Sequence, residues 1–384
     1  MPDGENLKAE IAGSISQIPA HDWDACAGTD NPFLSHAFLS ALEETGCTNA
    51  DTGWQPYHLI IRNSCGTLCA AMPLFLKGHS YGEYVFDHAW ADAYERAGGS
   101  YYPKLQSAVP FTPVTGPRLL IRDGEDRPAL ERALLRTAQK LSSELGVSSL
   151  HLTFMPEAQT VAAQDAGYLI RTDQQFHWHN RAYGSFEDFL SVLSSRKRKQ
   201  IRKERKRVEE QGITFRFLKG DVIGEDDWDR FFDFYMDTGR RKWGSPYLNR
   251  AFFSRIGELM GDRILLLMCE HDGEAVAGAL NFIGADTLYG RYWGCVESFD
   301  NLHFEACYYQ AIDYAIAHGM AHVEAGAQGE HKLARGYEPQ KTYSAHWIGN
   351  ESFRSAVARY LEHERAEVDA HVDILTDHTP FKKG

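Results

Sequence analysis

The sequence predicts an α+β protein of two tandem domains, each a mixed, mostly antiparallel sheet flanked by helices. Three observations point there. The chain has 384 residues, which suggests two domains or one large one. Hydrophobic residues make up 43% and charged residues 24%, the balance of a globular protein with a sizeable core. Both halves also show the same succession of patterns: strand, helices, β-meander, helix, strand.

In the first half, "EIAGSISQI" (10–18) reads as a strand. "LSHAFLSALEETG" (34–46) has helical spacing, with Ser35 placed as a cap and Gly46 as a stop. "YHLIIRN" (57–63) and "TLCAAMPLFLK" (67–77) are apolar runs around a polar turn, a hairpin pattern. The Pro- and aromatic-rich stretch 101–121 should be largely irregular and end in a short strand. An amphipathic helix (127–146), a strand (148–155), a second helix (157–167) and an extended segment (168–180) follow.

The second half opens with a helix at 185–193 that Ser185 can cap, then a basic segment that should be helical up to Gly212. A strand (213–218) and helices (225–242, 249–261) lead to a three-stranded meander (263–294) with turns at "HDGE" and "GAD". A helix (304–319), strands (320–326, 340–348) and a polar amphipathic helix (351–376) complete the chain. These patterns place an N-terminal domain at 1–180, a helical connector with the basic helix at 181–212, and a C-terminal domain at 213–384.

The formal net charge is -13, which argues against general nucleic-acid coating and confines any polyanion site to a local patch. The patch is evident: nine of the twelve residues from Arg196 to Arg207 are Lys or Arg. Seven irregularly spaced cysteines without a CxxC argue against a disulfide framework or a zinc site. Together with an N-terminus lacking a secretory pattern and no long apolar run, this leads to the expectation of a cytoplasmic protein with no membrane span and no metal. No GxSxG, P-loop, dinucleotide fingerprint or HExxH occurs, so hydrolase, NTPase, dehydrogenase and zinc-protease classes lose their usual support.

Within the basic segment, Arg198, Arg202 and Arg205 follow i, i+4, i+7 spacing and share a helix face, with Lys199, Lys203 and Lys206 on the adjacent one. Arg forks suit phosphate oxygens and Lys adds point charge. The plainer reading is a solvated charged face that Glu204, Glu209 and Glu210 partly compensate. His177 and His179 share a strand face at metal-compatible spacing, but no further His, Asp or Glu in the local pattern completes a set, which leaves them as candidates to line a binding cleft. Tyr289, Arg291 and Trp293 likewise form a polar-aromatic strip suited to peptide recognition or to packing. Glu324 in the strand "HVEAG", facing the same way as His322, and His303 before the next helix are base candidates; Lys332 is a candidate for oxyanion or phosphate stabilisation.

Several longer stretches carry a resemblance. They are "YYPKLQSAVPFTPVTGPRLL", "LSSRKRKQIRKERK", the meander "EHDGEAVAGALNFIGADTLYGRYWG", and "VEAGAQGEHKLARGYEPQKTYSAHW". Nearly the whole chain resembles the FemAB-like branch of the GNAT acyltransferase superfamily, in the group labelled peptidoglycan biosynthesis/recognition. The resemblance implies two tandem GNAT-like domains with the active cleft in the second. It implies amide formation by an acyltransferase or aminoacyltransferase, with acyl-CoA or aminoacyl-tRNA as co-substrate and no permanently bound cofactor. Expected partners are a phosphate-bearing substrate and tRNA, but not DNA. It also marks residues 326–339 as the donor-phosphate turn, with Gly326, Gln328, Gly329, His331, Arg335 and Tyr337 as site candidates, although the superfamily's Q/R-x-x-G-x-G/A signature is absent. Two other classes remain open: an RNA- or polyanion-binding module without chemistry, and a catalytically degenerate scaffold.

Overall fold

The structure, a computed structural model, describes residues 7–242, 246–326 and 329–382. Within them the chain divides into two compact units that are interleaved rather than consecutive. One comprises the chain up to 173 together with 341–370; the other comprises 174–340 and the chain from 371 onward. The contiguous boundaries expected at 180 and 213 therefore do not describe the division. The reason is non-local pairing: the strand Glu338–Ile348, late in the sequence, hydrogen-bonds through residues 343–348 to Ser149–Met155, and strand partnership leaves no mark on sequence neighbours.

The first unit holds two sheets. Lys8–Ala12, His58–Arg62, Leu68–Met72 and Leu120–Ile121 form an antiparallel one. The other runs Trp54–Pro56, Phe75–Lys77, Lys104–Ser107, Ser149–Met155, then residues 343–348, with one parallel pairing, between Lys104–Ser107 and Ser149–Met155. The apolar run 67–77 thus becomes two strands in different sheets, and the Pro-rich stretch 101–121 contains the buried strand Lys104–Ser107. The helix Arg127–Leu145 is capped by Asp126, which accepts from Ala129 N, and ends at Gly146 in the left-handed region. It packs Leu130, Leu134 and Leu135 against Leu59, Leu105, Leu150 and Leu152. The sequence pattern does not anticipate the helix His88–Arg96.

In the second unit Ile213–Lys219, Ile264–His271, Glu274–Ile283 and Thr287–Cys295 form the antiparallel meander. Asp272 (φ 51°) and Gly273 (φ 82°) make one of its turns with two successive positive φ angles, the geometry that suits a tight hairpin. Thr287–Cys295 then pairs in parallel with His322–Glu324, which pairs antiparallel with His177–His179. Helices surround this sheet: Phe186–Val192, Ser195–Glu210, Glu225–Lys242, Arg250–Met260, and a continuous helical run from Leu302 to Ala317. Phe176, Trp178, Phe189, Ile201, Tyr309, Ile312, Val323 and Tyr337 meet in its core.

Candidate active site

The site lies where two parallel strands part. Thr287, Leu288 and Tyr289 pair with His322, Val323 and Glu324, and the pairing stops there. One strand continues to Cys295, while the other chain leaves through Ala325 and Gly326. Between them opens a cleft, lined among others by Asn281, Arg291, Trp293, His303, Cys307 and Tyr308. Among the described residues the pairing of these two strands ends at 289 and 324, and side chains take part of the edge: Arg291 meets the Gly290 and Glu324 carbonyls and Lys332 the Gly326 carbonyl.

A β-bulge aims the central side chain. Leu280 opposes Tyr292 while Asn281 opposes Gly290, leaving Arg291 as the extra residue. The strict alternation that would put Tyr289, Arg291 and Trp293 on one face is interrupted, and four consecutive residues, Gly290 to Trp293, line the cleft. Arg291 Nη2 donates to Glu324 Oε2 at 2.7 Å, and Nη1 donates to the Gly290 and Glu324 carbonyls at 3.0 and 3.3 Å. The guanidinium also lies 5.0 Å from the Tyr289 ring centre.

Glu324 sits behind the cleft rather than in its lining. His177 Nε2 is 3.8 Å from its Oε1 and 3.2 Å from Gln175 Oε1. Burial pushes the His177 imidazole down to about 4, even though Glu324 pulls the other way. The register places His177 opposite Glu324 and His179 opposite His322, so these four share a face as the two-residue period requires, while Trp178 opposes Val323 in the core. His179 Nδ1 lies 2.9 Å from His322 Nδ1, and its Nε2 lies 3.1 Å from Gln340. Among the described residues no group of three His, Cys, Asp or Glu side chains is arranged to hold a metal.

Lys332 is buried, and its Nζ donates to the Gly326 carbonyl at 2.8 Å. Burial foremost, and then the Arg291 charge, push its amine down to about 7. Gly329 has φ +116°, and a Cβ there would lie 2.5 Å from the His331 ring, so the turn requires glycine. His331 Nε2 meets the Tyr308 hydroxyl at 2.8 Å. Tyr337 is fully buried, with its ring 5.5 Å from that of Tyr308. Gln328 lies outside the described residues. The turn leads only into a six-residue 3₁₀ helix, Glu330–Arg335.

A longer helix begins at the cleft, and no motif in the sequence assigns it a phosphate role. Its first turn carries His303, its Glu305–Tyr309 stretch is π-helical, and His303, Cys307 and Tyr308 line the cleft. Asn301 provides no side-chain cap; Leu302 N–H donates to the Phe299 carbonyl at 3.3 Å and Glu305 N–H to the Asn301 carbonyl at 3.0 Å, at the positive end of the helix. The His303 ring packs edge-on to Trp293 at 5.5 Å and Tyr308 at 5.4 Å. Sequence reasoning does not single out Asn281, Cys307 and Tyr308. No local motif marks them, because they meet only through the sheet and the helix crossing it.

The basic helix, Ser195–Glu210, buries Ile201, Glu204 and Val208. Arg335 Nη2 donates to both Glu204 carboxylate oxygens, at 3.1 and 3.0 Å, and its guanidinium lies 3.4 Å from the Phe304 ring centre. The Tyr309 hydroxyl donates to the same carboxylate. Arg335 is thus a tie between elements. Arg205 is engaged by Glu305 at 3.1 Å and Asp313 at 2.8 Å, Arg207 by Asp300 at 3.4 Å, Lys206 by Glu210 at 3.5 Å, and Arg202 by Glu187. Arg196, Lys197, Arg198, Lys199 and Lys203 have no ion-pair partner among the described residues. The contacts Arg207–Asp300 and Glu204–Tyr309 run the helix antiparallel to the 302–317 run. Arg198 therefore stands about 13 Å along the axis from the Asp300 contact, at about 1.5 Å per residue.

The model of the FemAB-like family, described as peptidoglycan biosynthesis/recognition, matches residues 14–383. Among solved structures, FemX superposes with a TM-score of 0.55 at 12% identity, covering 91% of this chain and 100% of that one. L-PGS from Bacillus licheniformis gives 0.52 at 12% identity over 87% and 98%. A conserved protein of unknown function from Bacteroides thetaiotaomicron gives 0.51 at 11% identity over 88% and 99%. At these identities the likeness is one of fold, and that fold is an α+β architecture of mixed sheets flanked by helices, as the sequence predicts. None of the curated proteins matches the sequence significantly.

Proposed function

The chain belongs to the FemAB-like family, and from that premise we propose that its second unit transfers an acyl or aminoacyl group from a phosphate-bearing donor to an amine, forming an amide. The observation that carries this reading is the cleft between the parted strands, lined by His303 and by Arg291, whose guanidinium is buried behind the cleft wall. Amide formation requires loss of a proton from the attacking amine and stabilisation of the tetrahedral oxyanion. His303 is the cleft-lining imidazole suited to take the proton. Arg291, held behind the cleft wall, contributes positive potential at the carbonyl oxygen without touching it. Glu324 orients Arg291, and Lys332 fixes the Gly326 edge of the cleft by its hydrogen bond. Glu324 and Lys332 are therefore positioning residues in this reading.

The donor side draws on two features. The positive end of the helix that starts at Leu302, which carries no side-chain cap, suits an anion beside the cleft. The five free cations of the basic helix lie within two helical turns, more charge than a single diphosphate needs, and favour a donor with several phosphates in succession. Aminoacyl-tRNA meets that description better than acyl-CoA. The described cysteines are all free thiols, as a reducing cytoplasm would keep them. No helix of the described residues is long and apolar enough to cross a membrane.

The test is a transfer assay with labelled acyl-CoA and with a mixed aminoacyl-tRNA pool, using amine acceptors that include cell-wall peptide precursors. The expected result is amide product with one donor class, lost about 100-fold or more in His303→Ala while donor binding stays within a few-fold. Tight RNA binding without product from either donor would favour the rival reading, a polyanion-binding module.

A further inference from the structure

One face of the second sheet in the first unit is polar although it is buried. Lys77 opposes Lys104, Gln106 opposes His151, and His151 opposes His346. The alternation along Ser149–Met155 adds Ser149 to this face. All six are at most 1% exposed. The opposite face of the same strands carries Leu76, Leu105, Leu150, Leu152 and Ala345, which belong to the apolar core.

A single segment, 78–103, contributes the polar groups that meet this face. It joins Phe75–Lys77 to Lys104–Ser107, adjacent antiparallel strands that a connection of about 2–5 residues would close. Lys104 Nζ donates to Ser80 Oγ at 2.7 Å, Glu83 Oε2 at 2.7 Å and Asp87 Oδ2 at 2.5 Å. Lys77 Nζ lies 3.8 Å from Glu83 Oε1, and the Tyr101 hydroxyl donates to Asp87 Oδ2 at 2.7 Å. On the outer side of the segment Tyr81 is 61% and Phe86 54% exposed.

Stability alone gives no reason for this chemistry. Buried ion pairs are commonly no better than an apolar face of the same shape. A reason exists if the face is uncovered in use. Glu83 and Asp87 belong to the segment, so lifting it leaves the sheet with Lys77 and Lys104 and with the hydrogen-bonding groups of Gln106, Ser149, His151 and His346. That remainder is a receptor for an oxyanion.

We propose that this sheet face is a binding site for a ligand carrying a carboxylate or phosphate group, and that segment 78–103 closes over it with Glu83 and Asp87 standing in for the ligand's anionic oxygens. The segment is an imperfect occupant. Glu83 Oε1, Asp87 Oδ1, Gln106 Oε1 and His346 Nε2 are buried without a hydrogen-bond partner among the described residues. Burial also pushes the Glu83 carboxyl up to about 7, against the pull of Lys104, which weakens its hold near neutral pH. The site is separate from the cleft proposed for acyl transfer and does not depend on that reading.

Calorimetry on the full chain tests it, with inorganic pyrophosphate and N-acetyl-alanyl-alanine as probes. An Arg198→Glu/Lys199→Glu background weakens phosphate binding at the basic helix, and each comparison is made within that background. Glu83→Gln/Asp87→Asn should bind one probe at least about tenfold more tightly than the background chain, because the internal competitor is weakened; tenfold corresponds to about 1.4 kcal/mol. Pyrophosphate binding would identify a phosphate source, peptide binding a carboxylate source. Adding Lys104→Met should abolish the gain. Failure of both probes to bind, equal affinity with and without the carboxylates, or indifference to Lys104→Met overturns the proposal. A second measurement needs no substitution in the segment: the winning probe should accelerate proteolysis within 78–103, and an unchanged cleavage rate also overturns it.

Discussion

Arg291 and Glu324 face each other across the last paired residues of two parallel strands, with Nη2 and Oε2 2.7 Å apart and the Arg291 side chain only 1% exposed. The bulge on one strand delivers the arginine, and the end of pairing on the other delivers the carboxylate. Glu324→Ala strands a buried guanidinium and should cost about 3–5 kcal/mol in urea unfolding. Glu324→Gln keeps a hydrogen-bond acceptor and should retain transfer within about tenfold. A loss of 100-fold or more in Glu324→Gln, with stability intact, would instead make the carboxylate the base.

Lys332 makes stability depend on pH with a definite sign. Its amine stands at about 7 in the folded chain against 10.5 ordinarily, so between those values the unfolded chain binds the extra proton and stability rises with pH. Lys332→Met removes that gain. Its stability relative to the parent should be greatest near pH 6 and shrink by a few kcal/mol toward pH 10, at about 1.4 kcal/mol per pH unit. Denaturant melts at the two pH values check it; a constant difference would show that burial does not depress this amine.

The basic helix should separate into binding and structural halves. Arg198→Glu and Lys199→Glu should weaken binding of RNA and lower the steepness of its salt dependence by about one per cation removed. Arg205→Ala should mainly destabilise, because Arg205 ties the helix to Glu305 and Asp313. A filter-binding salt titration beside a thermal melt distinguishes the two.

Glu204 is the acidic exception in the basic segment, and its substitution should be the most damaging there. Glu204→Ala leaves Arg335 buried without its carboxylate and removes the acceptor of the Tyr309 hydroxyl, a loss of about 3–5 kcal/mol. Glu204→Gln should recover part of it. A melting temperature unmoved by Glu204→Ala would mean that the pair contributes nothing net.

Sequence by itself determined the local elements and the composition of the fold. The meander from Ile264 to Cys295, the caps at Ser35 and Ser185, the helical basic segment and the shared face of His177 and His179 all follow from periodicity and turn chemistry, which act over a few residues. It also placed Arg291, His303 and Lys332 among the candidates. Tertiary structure decided which of them share a site. The bulge at Arg291, the end of pairing after Glu324 and the crossing of the 302–317 helix put Cys307 and Tyr308 beside Arg291. The return of residues 341–348 to the first unit and the meeting of Lys104 with Glu83 and Asp87 arise in the same way. Each depends on contacts between residues distant in the chain, whose energies are set by register and burial, and neither quantity is encoded in any one segment.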